Sequence, residues 1–206
     1  ETRAEYEQQY GKYKSVIQPI LTGVKLKVEI YPNRNLAEIR GTYHLYNPSK
    51  VPIDSLHFST MPRKGIARFN FDRKAKPVSI DEVLGYRIYS LQNPLLPGDS
   101  VEMNFIAEVK QWGFSNEGVD LSVIKNGSHI KSDDWMPLVG FDDDRRIYDE
   151  RDREKYKLPS RPDRPSLYDV EARYEAKHTQ QINFEAIVGT TEDQIAVAPG
   201  ALQHTW

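Results

Sequence analysis

The sequence predicts an all-β domain of mainly antiparallel strands, a saddle-like or sandwich β-domain with one helix in front of it and one short charged helix within it. Three observations carry this. Runs with apolar residues at every second position recur along the chain, clusters of Pro, Gly and Asn separate them, and no long helix intervenes between the strands.

Residues 4–20 come first. Tyr6, Tyr10, Tyr13, Ile17 and Ile20 recur at spacings of three and four, one face of an amphipathic helix, with Glu5, Gln8, Gln9, Lys12 and Lys14 elsewhere on it. Such a helix either packs on the domain that follows or connects it to something upstream. The missing N-cap signal points to the connector. The expected division is therefore a connector helix over 1–20 and a single β-domain over 21–206.

The period then changes from helical to alternating. Val24, Leu26, Val28 and Ile30 alternate with polar residues, the turn Pro32-Asn33-Arg34-Asn35 follows, and Ala37, Ile39, Tyr43 and Leu45 form the returning strand of a hairpin. Shorter strands are expected at 55–59, 67–71 and 85–90. Pro97-Gly98-Asp99 turns the chain into Val101, Met103, Phe105, Ala107 and Val109, another regular alternation. Near the end, Ile182, Phe184, Ala186 and Val188 alternate. Ile195-Ala196-Val197 is expected as a strand, Ala198-Pro199-Gly200 as a tight turn and 202–206 as the returning strand.

One stretch breaks the pattern. From Asp142 to Glu175 the chain is mostly charged, and Asp149-Glu150-Arg151-Asp152-Arg153-Glu154-Lys155 suits a short solvated helix with i,i+4 pairs. Pro159, Pro162 and Pro165 then impose an extended loop.

Composition excludes several classes. Of 206 residues 38% are apolar and 28% charged, neither a membrane-spanning nor a disordered composition. No window approaches the ~18 apolar residues of a spanning helix, and Glu1-Thr2-Arg3-Ala4-Glu5 is not the start of a signal peptide. A net charge of −2 lacks the electrostatic footprint of a nucleic-acid binder. With no cysteine there is no disulfide, thiolate zinc site or cysteine nucleophile.

Site motifs are sparse. The five histidines His44, His57, His129, His178 and His204 include no H-E-x-x-H pair. Asp142-Asp143-Asp144 lacks the spacing of a calcium loop and reads as a solvated acidic turn neutralised by Arg145 and Arg146. Asn126-Gly127-Ser128 matches a glycosylation acceptor, but Asn-Gly is first a turn signal. The stretch Ser132-Asp133-Asp134-Trp135-Met136-Pro137-Leu138-Val139-Gly140-Phe141 sets two acids beside an apolar wall. It reads as a core corner, or as the rim of a site for a positively charged group.

The order of these segments resembles the N-terminal β-domain of zinc aminopeptidases of the membrane alanyl aminopeptidase and leukotriene-A-hydrolase family, the gluzincins. It resembles most the bacterial proteins that fuse this region to an ABC-transporter permease. The residues that carry the resemblance begin with 24–32 (VKLKVEIYP) and 41–47 (GTYHLYN), and continue through 94–99 (PLLPGD), 126–128 (NGS) and 135–141 (WMPLVGF). They end with 158–162 (LPSRP) and 193–200 (DQIAVAPG).

The resemblance implies a non-catalytic β-domain capping the peptide site of a downstream catalytic domain. That neighbour would hold zinc through H-E-x-x-H and a further Glu, so this chain alone is expected to be inactive and to carry no cofactor. In the family a Gln or Glu of the β-domain holds the substrate's free amino group. The matching region here is Ser132–Pro137, where neither residue stands and Asp133 or Asp134 would take the role. The expected partners are the downstream domain, the N-terminus of a peptide substrate and, through an upstream span, a membrane, with the domain on its extracytoplasmic side. The rival expectation is an extracytoplasmic interaction module of a transporter without hydrolytic role.

Overall fold

Strands β1 (Ile20–Tyr31) and β2 (Leu36–Tyr46) pair antiparallel along their whole length, as their alternation requires. They belong to a computed structural model that describes residues 2–61, 65–110, 122–161, 166, 168–170 and 181–205, without the side chains of 65–67, 133 and 134. The remaining strands are β3 (Ile53–Ser59), β4 (Gly65–Phe71), β5 (Ala75–Asp81), β6 (Tyr86–Leu95), β7 (Ser100–Lys110), β8 (Val123–Ile124), β9 (Gly127–Ser128), β10 (Leu138–Val139) and β11 (Asn183–Gly189). They form a five-stranded sheet ordered β11-β1-β2-β7-β4, a four-stranded sheet ordered β10-β3-β6-β5, and the small β8–β9 hairpin. This is the all-β, mainly antiparallel domain expected. The one departure is β11, which pairs parallel with β1.

The two sheets meet over one core. Val24, Leu26 and Val28 of β1, Ile39, Tyr43 and Leu45 of β2, and Val101, Met103, Phe105 and Val109 of β7 face Ile53, Leu56 and Phe58 of β3 and Tyr89, Leu91 and Leu95 of β6. Each large side chain so buried contributes about 1.5–3 kcal/mol. Gly41 lies opposite Phe105 on this inner face, and a Cβ there would collide with the Phe105 ring. The glycine interrupting the β2 alternation is thus the space that the ring occupies.

Sheet β10-β3-β6-β5 is covered on its second face as well. His57 and Ser59 of β3 point away from the main core, as do Tyr86 and Ile88 of β6, and all four are buried. Over them lies α1 (Thr2–Tyr10), whose Tyr6 and Tyr10 form a second apolar cluster with Leu84, Tyr86, Ile88, Tyr13 and Phe141. The helix is shorter than the spacing predicts. It tightens to a 3-10 turn at Gly11–Tyr13, leaves Ile17 half exposed, and gives up Ile20 to β1. Gly11 is a weak helix former and Pro19 biases its predecessor toward extended backbone, so the apolar spacing outruns the helix that carries it.

The strand pattern departs from expectation in further places. Strand β5 has no counterpart in the sequence reading, because Pro77 and a bulge between Pro77 and Ser79 mark it as the edge strand it is. The segment 190–205 contains no strand, and Ile195, Val197 and Leu202 project from it with 93%, 89% and 81% exposure. The turn expected at Asn126-Gly127 lies at Lys125-Asn126, and Gly127, at φ 149, opens β9 opposite Ile124. Trp112 and Phe114, which the sequence offers as an apolar patch for docking to a neighbour, and His178 lie outside the described residues. Among the described residues no helix is long and apolar enough to cross a membrane.

Gly41→Ala is expected to cost about 1–3 kcal/mol through overpacking. In a double-mutant cycle read by urea unfolding, Phe105→Ala should remove most of that cost; additive effects would show that the ring is not what the glycine accommodates.

Candidate functional site

The segment bearing the two candidate acids is built into the sandwich. A single helical turn, α2 (Ser132–Trp135), delivers Trp135 into the main core, where it is 3% exposed and packs with Met136 and Val139 beside it. Then β10 joins the edge of β3, Leu138 opposite Ser59 and Val139 opposite Phe58. Gly140, at φ 87, donates its N–H to the His57 carbonyl at 2.8 Å and accepts from Ser59 Oγ at 2.8 Å. Phe141 stacks on Tyr6 with ring centroids 5.0 Å apart. The apolar wall is therefore a core corner. Asp133 and Asp134 lie on α2 at this corner, and their side chains lie outside the described residues.

Beyond the corner, the charged run turns inward. Glu7 of α1 is buried, and Arg153 of α3 (Glu150–Lys155) meets it side-on, Nη2 to Oε1 at 2.8 Å and Nη1 to Oε2 at 2.9 Å. Arg146 Nε adds a third bond to Oε1 at 2.9 Å, and the Ile147 N–H a fourth to Oε2 at 3.3 Å. Arg153 is wholly buried, and its other N–H groups donate to the carbonyls of Ile147 and Pro159, so all five of its donors are satisfied. Burial works to raise the Glu7 pKa, but the bonds from Arg153 and Arg146 and the charge of Arg146 outweigh it and hold the carboxyl below its ordinary range. Lys14 at 2.8 Å and Arg146 at 3.2 Å likewise overcome burial at Asp143.

Arg145 lies over the Tyr6 ring, 3.9 Å from its centroid, and donates to the Leu84 carbonyl at 2.6 Å and the Thr60 carbonyl at 3.2 Å. The expected charged turn and short helix are present, the helix largely exposed and the turn half-buried, and the departure is that Arg146 and Arg153 are buried. Asp142 caps the turn by accepting from the Asp144 N–H, but Arg145, Arg146 and Arg153 fasten the segment to α1 and to the sheet. Lone charged residues default to solvent in a sequence reading. The available signal was Glu7, one position along from Tyr6 on the buried side of a helix.

The described histidines do not converge. His57 is buried between Tyr86 OH at 3.0 Å and Ser55 Oγ at 3.1 Å, with Tyr13 against its ring, and burial lowers its pKa. His44 lies on the outer face of the other sheet, 3.6 Å from Glu102, and His129 and His204 are exposed elsewhere. Among the described residues no three His, Asp or Glu side chains are placed to hold a metal ion.

No protein-family model matches the chain, and no curated protein sequence matches it. Among solved structures it is similar to an M1 zinc metallopeptidase from Deinococcus radiodurans, with 11% identity, a TM-score of 0.36, and 46% of this chain and 21% of that one covered. The same enzyme's E323A mutant bound to a Tyr-Ser-Ala substrate aligns with 11% identity, a TM-score of 0.34, and coverage of 47% and 21%. Yeast LTA4 hydrolase aligns with 16% identity, a TM-score of 0.32, and coverage of 44% and 14%. The aligned part spans about a fifth or less of those proteins.

Two outcomes follow from this geometry. Glu7→Gln leaves Arg153 buried without a full counter-charge and should cost about 3–5 kcal/mol in chemical unfolding. A loss below 1 kcal/mol would show that the pair is not buried in solution. For pH, the folded His57 titrates below its ordinary value of about 6.5, so between the two values the unfolded chain binds a proton the folded chain does not. Stability should fall as pH drops through that window, and His57→Gln should flatten this part of the profile. Glu7, depressed in the fold, holds its full contribution above about pH 4.5 and loses it as pH falls through the lower folded value. Asp142, raised by burial, has the opposite sign.

Proposed function

We propose that this chain is the non-catalytic β-domain of a membrane-associated zinc-aminopeptidase-like protein, in which it shapes and caps the peptide site of a downstream catalytic domain. The observation that carries the reading is the extended segment 190–205. Ile195, Val197 and Leu202 stand almost wholly in solvent, and an apolar strip of that kind marks a surface that a neighbour covers. The strip falls within the DQIAVAPG motif and just after it, in the part of the sequence that resembles the family's approach to its catalytic domain. The corner at 132–141 fits the same reading, since a pinned backbone is what a carboxylate needs in order to hold an ammonium group at a fixed place.

In this reading Asp133 or Asp134 receives the free α-amino group of the substrate, and the zinc and the general base belong to the neighbour. The domain would then select peptides with a free N-terminus without touching the scissile bond.

The test joins this chain to its downstream neighbour and assays release of N-terminal amino acids. Asp133→Asn or Asp134→Asn should lower kcat/KM by about 10–100-fold, the worth of one charge-assisted hydrogen bond. An N-acetylated peptide, which lacks the ammonium, should be a poor substrate for the wild type and for both variants alike. A joined protein that binds no zinc and releases nothing would remove the peptidase reading and leave an interaction module. Full activity in both variants would remove the assigned acids alone.

A further inference from the structure

The outer face of the five-stranded sheet arranges its charges in rows. The register sets Glu29, Glu38 and Glu108 directly opposite one another across β1, β2 and β7. One pair further along, Ile187, Lys27, Arg40, Ile106 and Arg68 form the next row across β11, β1, β2, β7 and β4. Like charges directly opposite on neighbouring strands are destabilising. Here Glu meets Glu twice, and Lys27 meets Arg40.

The sheet itself relieves little of this. Lys27 reaches Glu29 along its own strand at 3.4 Å. Among the described residues, Glu38, Glu108, Arg40 and Arg68 make no ion pair. Ile106 and Ile187 stand in the cationic row with 46% and 42% exposure, apolar side chains on an otherwise polar face.

We infer that this face is an isologous interface between two copies of the chain. The two rows are adjacent, parallel and opposite in sign, so the pattern is complementary to itself. A two-fold axis running along the rows, midway between them, turns the second copy over and lays its cationic row on the acidic row of the first. Glu29 of each copy then faces Lys27 of the other, and Glu38 faces Arg40. The two Ile106 side chains lie on either side of the axis, where they are withdrawn from water. An axis in this position makes the Glu29–Lys27 and Glu38–Arg40 pairs twice each, the self-complementarity that a closed two-fold assembly requires, and sets Glu108 over Ile106 of the other copy. The rows that repel within one sheet become the ordered contacts between two, and the association needs no neighbouring domain.

Sedimentation velocity of the whole chain over a concentration series tests this. At low salt the chain should reach twice its mass of 23.8 kDa, and high salt should drive it back to monomer. Arg40→Glu and Glu38→Arg should each weaken association about tenfold or more. The two together reverse both partners and should restore it. Circular dichroism reports whether each variant is folded. A wild-type chain that stays monomeric at every concentration, single reversals that leave association unchanged, or a folded double reversal that stays monomeric would each overturn the inference.

Discussion

The carboxylate of Glu7 is the joint that holds helix α1 to the charged segment carrying α3. It gathers two guanidinium groups and a backbone N–H from residues 146, 147 and 153, some hundred and forty positions away in sequence. Such a buried pair adds little net stability over an apolar substitute, because desolvation offsets most of the attraction. What it supplies is position. A guanidinium with all five donors satisfied can sit in only one way, and through the carbonyl of Pro159 it also fixes where the chain leaves α3. Helix α1 is in consequence a third layer of the fold rather than an arm beside it.

That third layer explains why a strand reading of β3 and β6 is incomplete. A half-buried strand alternates apolar and polar residues, but β3 buries Leu56, His57, Phe58 and Ser59 in succession because α1 covers the face that would otherwise meet water. The polar members of that face are matched one by one. Tyr6 OH bonds Ser59 Oγ at 2.8 Å, and Tyr10 OH donates to Asp81 at 2.7 Å. The corner carrying Asp133 and Asp134 is attached to this matched face through β10 and Gly140, so the placement of the candidate acids and the burial of Glu7 are parts of one arrangement.

Much of the sandwich was legible because its central strands, β1, β2 and β7, bury one face and wet the other, which writes period two into the sequence. Three things were not legible, each for a physical reason. The apolar spacing of residues 4–20 continues past the helix, since Ile20, half-buried, belongs to β1 and not to a helical face. The charged run hides Arg146 and Arg153 because nothing local distinguishes a buried arginine from a solvated one; its partner lies at the other end of the chain. Segment 190–205 alternates like a strand but has none of the described strands beside it, and alternation specifies a strand only where another accepts its hydrogen bonds. The acids at 133 and 134 came from a resemblance, and the structure adds the corner on which they stand.

The central claim is that α1 and the segment from 132 to 161 form one cooperative unit with the β-sandwich. Native-state hydrogen exchange measures this directly. The amides of Tyr10 and Arg153, together with those of Gly140 and Leu158, should exchange only through global unfolding, with protection matching that of β2 and β7. Fast exchange in α1 and α3 alongside a protected sandwich would contradict the claim and return the helix to the role of a loose connector.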